Sequence, residues 1–243
     1  MHNRTLVIGD IHGAILALKD VLAKSKPTGQ DTLIFLGDYV DGWSDSFHLI
    51  EYLIELNTSI NCVFLRGNHD DLFLNYLKTK QFNEEWLKHG GQSTIDAYQN
   101  VSIESLNKHI DFLENLKDYH IDQENRLFVH AGFTNVKGVD FEYFKKLFFW
   151  DRSLWELALA VDKNMTINHL YYPERLKLYK EIYIGHTPTT RINETKPIQF
   201  ANVINVDTGA AFKGPLSMID VKSKQVWQSK PAFEWYPNEN GRN

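Results

Sequence analysis

Short apolar runs alternate with longer amphipathic stretches along this chain. Leu6-Val7-Ile8, Leu33-Ile34-Phe35-Leu36, Cys62-Val63-Phe64-Leu65, Leu127-Phe128-Val129, Ile182-Tyr183-Ile184 and Val203-Ile204-Asn205-Val206 are each too short for a buried helix. All are rich in β-branched or aromatic residues, so they read as buried strands. Ala14 to Lys24 and Phe47 to Leu56 carry apolar residues at i, i+3, i+4 and i+7, which predicts amphipathic helices between the first strands. Helical spacing continues through Leu72–Leu77, Glu84–Leu87, Thr94–Tyr98 and Glu104–Leu116, and returns from Phe141 to Leu159. Leu216 to Val221 and Gln225 to Trp227 predict a hairpin around Lys222-Ser223-Lys224. The tail after Pro231 is polar, and loose attachment is expected. Neither a repeat nor a linker interrupts the pattern. One α/β domain over residues 1–243 is expected, with its core at about 4–228 and a polar tail at 231–243.

The loops that follow the predicted strands share a composition. They read Gly9-Asp10-Ile11-His12-Gly13, Gly37-Asp38-Tyr39-Val40-Asp41-Gly42, Arg66-Gly67-Asn68-His69-Asp70, His130-Ala131-Gly132, Gly185-His186-Thr187 and Asp207-Thr208-Gly209. Loops at the carboxyl ends of strands build the site in open α/β sheets, so these six should converge. Carboxylate, imidazole and amide oxygen together suit borderline to hard divalent metals. An extended Asp-x-His segment points both side chains the same way, which would aim Asp10 and His12 at one ion. Asp38 is the natural bridge between two cations about 3.5–4 Å apart.

Composition narrows the field. The formal charge is -5 and no basic run is present, so nucleic acid is not expected as a partner. No apolar run approaches the ~20 residues that would cross a bilayer, and no membrane partner is expected. The start of the sequence runs into Thr5-Leu6-Val7-Ile8 without a signal-peptide pattern, so a cytoplasmic location is expected. Cys62 is the one cysteine; it cannot form an internal disulfide and reads as a buried, inert thiol.

The six strings, in this order from residue 9 to residue 210, resemble the motifs of the metallophosphoesterases. They are most similar to the phosphoprotein phosphatase family of serine/threonine phosphatases, in its compact bacterial and phage form. The resemblance implies a central β-sandwich of mixed sheets flanked by helices, in α/β/β/α layers, rather than one parallel sheet. It implies that Asp10, His12 and Asp38 bind one metal, and that Asp38, Asn68, His130 and His186 bind the other. It implies a single in-line attack on phosphorus by a water or hydroxide bridging the metals, with His69 as the general acid and Asp41 orienting it. Two divalent ions are therefore expected as cofactors, Mn²⁺ first, with Fe or Zn²⁺ also compatible with the donors. Their charge would invert the field of Asp10, Asp38, Asp41 and Asp207.

Two departures stand out. The family's second motif runs Gly-Asp-x-x-Asp-Arg-Gly, and its Arg grips the substrate phosphate, whereas this chain has Asp41-Gly42-Trp43. Arg152, after Phe149-Trp150-Asp151, resembles a later phosphate-binding Arg of bacterial members. Arg66 matches the Arg before Gly-Asn-His, for which bracing is favoured over phosphate contact. Asp70 replaces the usual Glu, and Gly-Asn-His-Asp is shared with symmetrical dinucleoside-tetraphosphate hydrolases. The resemblance thus favours a phosphoprotein substrate, with phosphoserine, phosphothreonine or also phosphotyrosine. Hydrolysis of dinucleoside tetraphosphates or other small phosphoesters is the alternative, and a metal-free docking scaffold a remote one. Elsewhere, His2, His48, His109, His120 and His169 read as surface or core side chains. His89, in Lys88-His89-Gly90-Gly91, resembles a loop near the site. Asp207 reads either as a group fixing a metal-bound His or as a turn carboxylate. Phe148, Phe149, Trp150 and Trp155 read as core, and Trp43 as a shaper of the pocket.

Overall fold

The structure, a computed structural model, describes residues 3–242, so His2 lies outside the described residues. Its strands are β1 (Thr5–Ile8), β2 (Thr32–Phe35), β3 (Asn61–Phe64), β4 (Tyr119–Ile121), β5 (Arg126–Val129), β6 (Glu181–Ile184), β7 (Ile198–Phe200), β8 (Val203–Asn205), β9 (Pro215–Asp220) and β10 (Val226–Pro231). They form two five-stranded mixed sheets, ordered β10-β9-β1-β2-β3 and β4-β5-β6-β8-β7. In the first, β1, β2 and β3 run parallel while β9 is antiparallel to β1. In the second, β5, β6 and β8 run parallel and β4 and β7 are antiparallel edges.

The alternation of side chains along a strand explains the layering. Leu6 and Ile8 of β1, with Leu33 and Phe35 of β2, face a core shared with helices. Val7 and Ile34 point the other way, into a core that also holds Phe128, Tyr183 and Ile204 of the second sheet. Leu127 and Val129 of β5 and Ile182 and Ile184 of β6 face a third core under the opposite helices. The apolar runs are continuous because both faces of each central strand are buried. The first sheet is covered by α1 (Ile15–Ser25), α2 (Ser46–Leu56), α3 (Asn68–Thr79) and α6 (Ile103–Glu114), with α4 (Glu84–Trp86) and α5 (Gln92–Ala97) between α3 and α6. The second is covered by α7 (Leu147–Trp150) and α8 (Ser153–Ala160). The result is the expected sandwich of mixed sheets flanked by helices.

The helix expected from Phe141 to Leu159 is broken. Asp151 adopts an extended ψ of 142° and its carboxylate accepts from Ser153 N and Leu154 N, which starts α8 afresh. The apolar spacing conceals this break because a carboxylate that caps the next helix leaves the apolar period unchanged. Strands β4 and β7 escape the hydrophobic pattern because they are short, half-exposed edges carrying His120 and Gln199. The tail is not loose. Ala232 and Tyr236 are buried, and Tyr236 stacks on Trp43 with ring centres 5.2 Å apart. Its hydroxyl donates to Asp45 at 2.8 Å, so two apolar anchors and a partly buried polar contact hold a stretch whose composition is polar. Among the described residues, no helix is long and apolar enough to cross a membrane.

Cys62 lies on β3, its thiol half-buried and donating to Ile60 O at 3.4 Å. Burial pushes its pKa up to about 12. The thiolate is the reactive form, so alkylation by iodoacetamide at pH 8 should be slower than that of free cysteine by about tenfold or more. A rate matching free cysteine would contradict that environment.

Candidate active site

The carboxyl ends of the parallel strands of both sheets open on one cluster. β1 leads to Asp10 and His12, β2 to Asp38 and Asp41, β3 to Asn68 and His69, β5 to His130, β6 to His186 and β8 to Asp207, and all nine side chains are buried. His12, Asp38, Asp41 and His186 have positive φ (51°, 52°, 71° and 67°), a sparsely populated region for residues with a side chain. His12 therefore does not continue an extended strand. The Asp10-x-His12 segment reaches the cluster through a left-handed turn, not through the side-chain alternation expected from its spacing.

Donor atoms of His12, Asp38 and His69 lie within 4.8 Å of one another, as do those of Asp38, His130 and His186. Asp38 is common to both groups. Asp38 Oδ2 is 3.4 Å from His12 Nε2 and 3.5 Å from His130 Nε2. The Nδ1 of His12 lies 3.0 Å from both Val40 O and Asp41 O, and that of His130 lies 2.8 Å from Leu36 O. A carbonyl accepts only, so these nitrogens carry the hydrogen and each Nε2 is the ring atom turned toward the cluster. Asn68 Oδ1 lies 3.3 Å from His130 Nε2. Asp10 accepts from His186 N through Oδ2, while Asp10 Oδ1 and His186 Nε2 are buried without a partner. Buried acceptors are rarely left unpaired. The orphaned oxygen and nitrogen, the shared carboxylate and the oriented imidazoles together fit two divalent cations. Asn68, through its contact with His130, adjoins the second donor group. Asp10 lies outside both triplets, and His69 takes a place in the first that was not expected for it.

Asp70 explains how the strained Asp38 is held. Its carboxylate accepts from Asp38 N, Tyr39 N and Gly67 N, each at 2.8 Å. It is fully buried and does not line the pocket, so it organises backbone and does not read substrate. Asp38 Oδ1 accepts from His69 N at 3.0 Å, and a side chain at Gly67 would collide with that carboxylate.

A second polar unit adjoins the first. His69 Nδ1 is 2.6 Å from Asp41 Oδ2. Trp86 Nε1 donates to that same oxygen at 2.5 Å, and Thr94 Oγ1 donates to Asp41 Oδ1 at 2.6 Å. Asp41 N in turn donates to Thr94 Oγ1 at 2.9 Å. With both oxygens accepting, Asp41 fixes the His69 ring with Nδ1–H toward itself and Nε2 free. Trp86 and Thr94 were not singled out by sequence; their spacing reads only as helix, and their polar atoms meet Asp41 because the turn Leu87–Gly91 between α4 and α5 is kinked at His89 and Gly90.

Electrostatics match this arrangement. Burial opposes ionisation of Asp38, yet His130, His69 and His12 hold its pKa well below the usual carboxylate range. Burial, reinforced by Asp207 and Asp38, raises Asp10 well above it. Burial lowers His12 and His186, which favours the neutral, metal-binding ring. His130 is raised to about 10, since Asp38 and Asp10 outweigh its burial. A buried site crowded with both signs is what cations of charge two would relieve.

The cluster floors a cavity of about 610 Å³. Arg152, Arg191, Arg242, Trp150 and His89 line its walls with Asp38, Asn68, His69 and His186. Arg152 Nη1 donates to Thr187 Oγ1 at 2.7 Å. Trp150 is 43% exposed at the rim, with its ring centre 6.4 Å from that of His186, so it leaves the core expected for it. Phe148, Phe149 and Trp155 are buried as core. Arg66 is not brought to the cavity. Its guanidinium donates to Glu114 O and Leu116 O and pairs with Asp118, which braces the loop. Trp43 is fully buried and donates to Ala210 O at 2.7 Å, so it does not shape the cavity directly. Asp207 Oδ1 accepts from Gly209 N at 2.9 Å, the turn arrangement. His109 is a core histidine between Tyr98 and Glu51. A larger depression of about 820 Å³ beside α1 and α2 contains none of the candidate ligands.

Comparison with known proteins follows the same line. Residues 3–206 match the family described as calcineurin-like phosphoesterase. The asymmetrical bis(5'-nucleosyl)-tetraphosphatase PrpE of Oceanobacillus iheyensis is 25% identical over 240 residues, covering 90% of this chain and 89% of that protein. Serine/threonine-protein phosphatase 1 of Salmonella typhimurium is 26% identical over 219 residues, covering 89% of this chain and 91% of that protein. A solved protein serine/threonine phosphatase from Saccharomyces cerevisiae shares the fold with a TM-score of 0.61 at 15% identity, over 94% of this chain and 80% of that one. With the donor cluster in place at the edge of the sandwich and the match spanning most of its length, the chain belongs to the calcineurin-like phosphoesterase family of metal-dependent phosphoester hydrolases.

Proposed function

We propose that this protein hydrolyses a small polyphosphate ester, a dinucleoside polyphosphate in preference to a phosphoprotein. The observation that carries the preference is the meeting of three guanidiniums, Arg152, Arg191 and Arg242, on the cavity above Asp38 and His69. A chain of phosphates spreads charge over a length that several arginines can follow, whereas a phosphoserine offers one group. The exposed face of Trp150 at the rim suits stacking by a base. The motif strings favoured a phosphoprotein through their resemblance to serine/threonine phosphatases, and Arg191 and Arg242 lie outside them. Similarity to both kinds of relative accommodates either substrate.

The proposed ligands are Asp10, His12 and Asp38 for one cation and Asp38, Asn68, His130 and His186 for the other, with manganese as the activating metal. When bound, two such ions lower the pKa of water and neutralise charge on phosphoryl oxygens. Both sheets contribute ligands, so the whole chain is taken as one catalytic domain. His69 holds a proton at Nε2 and delivers it to the departing oxygen as the P–O bond breaks. Asp41, fixed by Trp86 and Thr94, keeps the ring in the tautomer and direction this needs.

With Mn²⁺ present, kcat/KM on diadenosine tetraphosphate should exceed that on a phosphoserine peptide; the reverse order would overturn the substrate preference. His69→Asn should keep its metal and lose about 10²–10⁴-fold in turnover, most on poor leaving groups, and unchanged turnover would reject the acid role. Asp38→Asn should lose at least one metal equivalent by elemental analysis. Full occupancy in that variant would reject the shared ligand.

A further inference from the structure

The loop after β2 has Gly42 where the family it resembles carries an arginine, and the structure shows what stands in that space. Gly42 has φ of +114°, a conformation closed to an arginine. A Cβ at Gly42 would lie 3.3 Å from Arg242 Cγ. Arg242 Nε donates to His89 O at 3.0 Å, and Gly42 N donates to Gly90 O at 3.2 Å, so one kinked turn holds both. Arg242 Nη1 is 3.5 Å from His12 Nε2, the ring atom that faces the donor cluster. The guanidinium carbon lies 5.4 Å from the ring centre of Phe212. Among the described residues, no carboxylate pairs with it.

The segment that carries Arg242 is docked on the residues that follow Gly42. Trp43 stacks on Tyr236, Ser44 N and Oγ donate to Glu239 at 2.9 and 2.7 Å, and Asp45 accepts from Tyr236. Arg242 N donates to Ala211 O at 2.9 Å, directly after the carbonyl of Ala210 that accepts from Trp43. The loop that lacks a cation is thus the loop that anchors one from about two hundred residues away. Burial and the nearby charges of Arg191 and Arg242 lower the pKa of Arg152, a crowding of like charge that a bound anion relieves.

We propose that Arg242 is a phosphate-binding residue, placed over the cluster by docking of residues 236–242 on Trp43–Asp45, and that it grips the phosphoryl group held there. This rests on the phosphoester-hydrolase reading but not on the identity of the ester. The test compares wild type, Arg242→Ala, Arg242→Lys and Ser44→Ala, each loaded with Mn²⁺. Calorimetry with inorganic phosphate should show binding weakened roughly 10- to 100-fold in Arg242→Ala, less in Arg242→Lys, and least in Ser44→Ala, which loosens the dock but keeps the guanidinium. Metal content and thermal midpoint of Arg242→Ala should match wild type, and KM should rise more than kcat falls. Phosphate affinity and KM equal to wild type in Arg242→Ala would overturn the proposal. A wild type inert toward every phosphoester would overturn the functional reading instead, while the phosphate calorimetry would still decide Arg242.

Discussion

The site depends on one carboxylate that is held where a carboxylate is costly. Asp38 is buried, its backbone has positive φ, and its side chain meets three imidazoles. Leaving such a charge unpaired would cost several kcal/mol. Three backbone N–H groups clamped by Asp70 hold the loop, and His12, His69 and His130 balance the charge. That balance draws on both sheets, because His130 comes from β5 while Asp38 follows β2. The two sheets must therefore pack in one register through Val7, Ile34, Phe128 and Tyr183 for the cluster to exist at all.

Around this centre the structure separates two tasks. In the donor cluster, His12, His130, Asp10 and Asp38 each commit one side-chain atom to backbone, which leaves the other facing inward. The second polar unit is built on Asp41, whose oxygens are committed to Trp86, Thr94 and His69. Such prior orientation is what limits reorganisation during phosphoryl transfer. The kinked turn at His89–Gly90 serves both sides, since it sets Trp86 and Thr94 against Asp41 and offers a carbonyl to Arg242.

Much of this was legible in the sequence. The strands announced themselves as short apolar runs because each central strand is buried on two faces, and the loops after them carried the chemistry. What escaped notice did so for definite reasons. Edge strands β4 and β7 lack a second buried face. Asp151 breaks a helix by capping, which an apolar period does not register. The tail read as loosely attached because its composition is polar, yet Trp43 and Tyr236 recognise each other across about two hundred residues. Trp150 and Trp86 have the same residue type, but only the fold tells the rim from the interior. For Arg66 the position before Gly-Asn-His favoured bracing over phosphate contact, and its geometry commits it to Glu114, Leu116 and Asp118.

The central claim is that Asp38 is shared by two cations at the meeting of the sheets. Anomalous diffraction from crystals of the Mn²⁺-loaded protein tests it most directly. The account predicts two peaks, one beside His12 and one beside His130 and His186, each with a carboxylate oxygen of Asp38 among its ligands. A single peak, or two peaks with Asp38 bound to neither or to one alone, would contradict it.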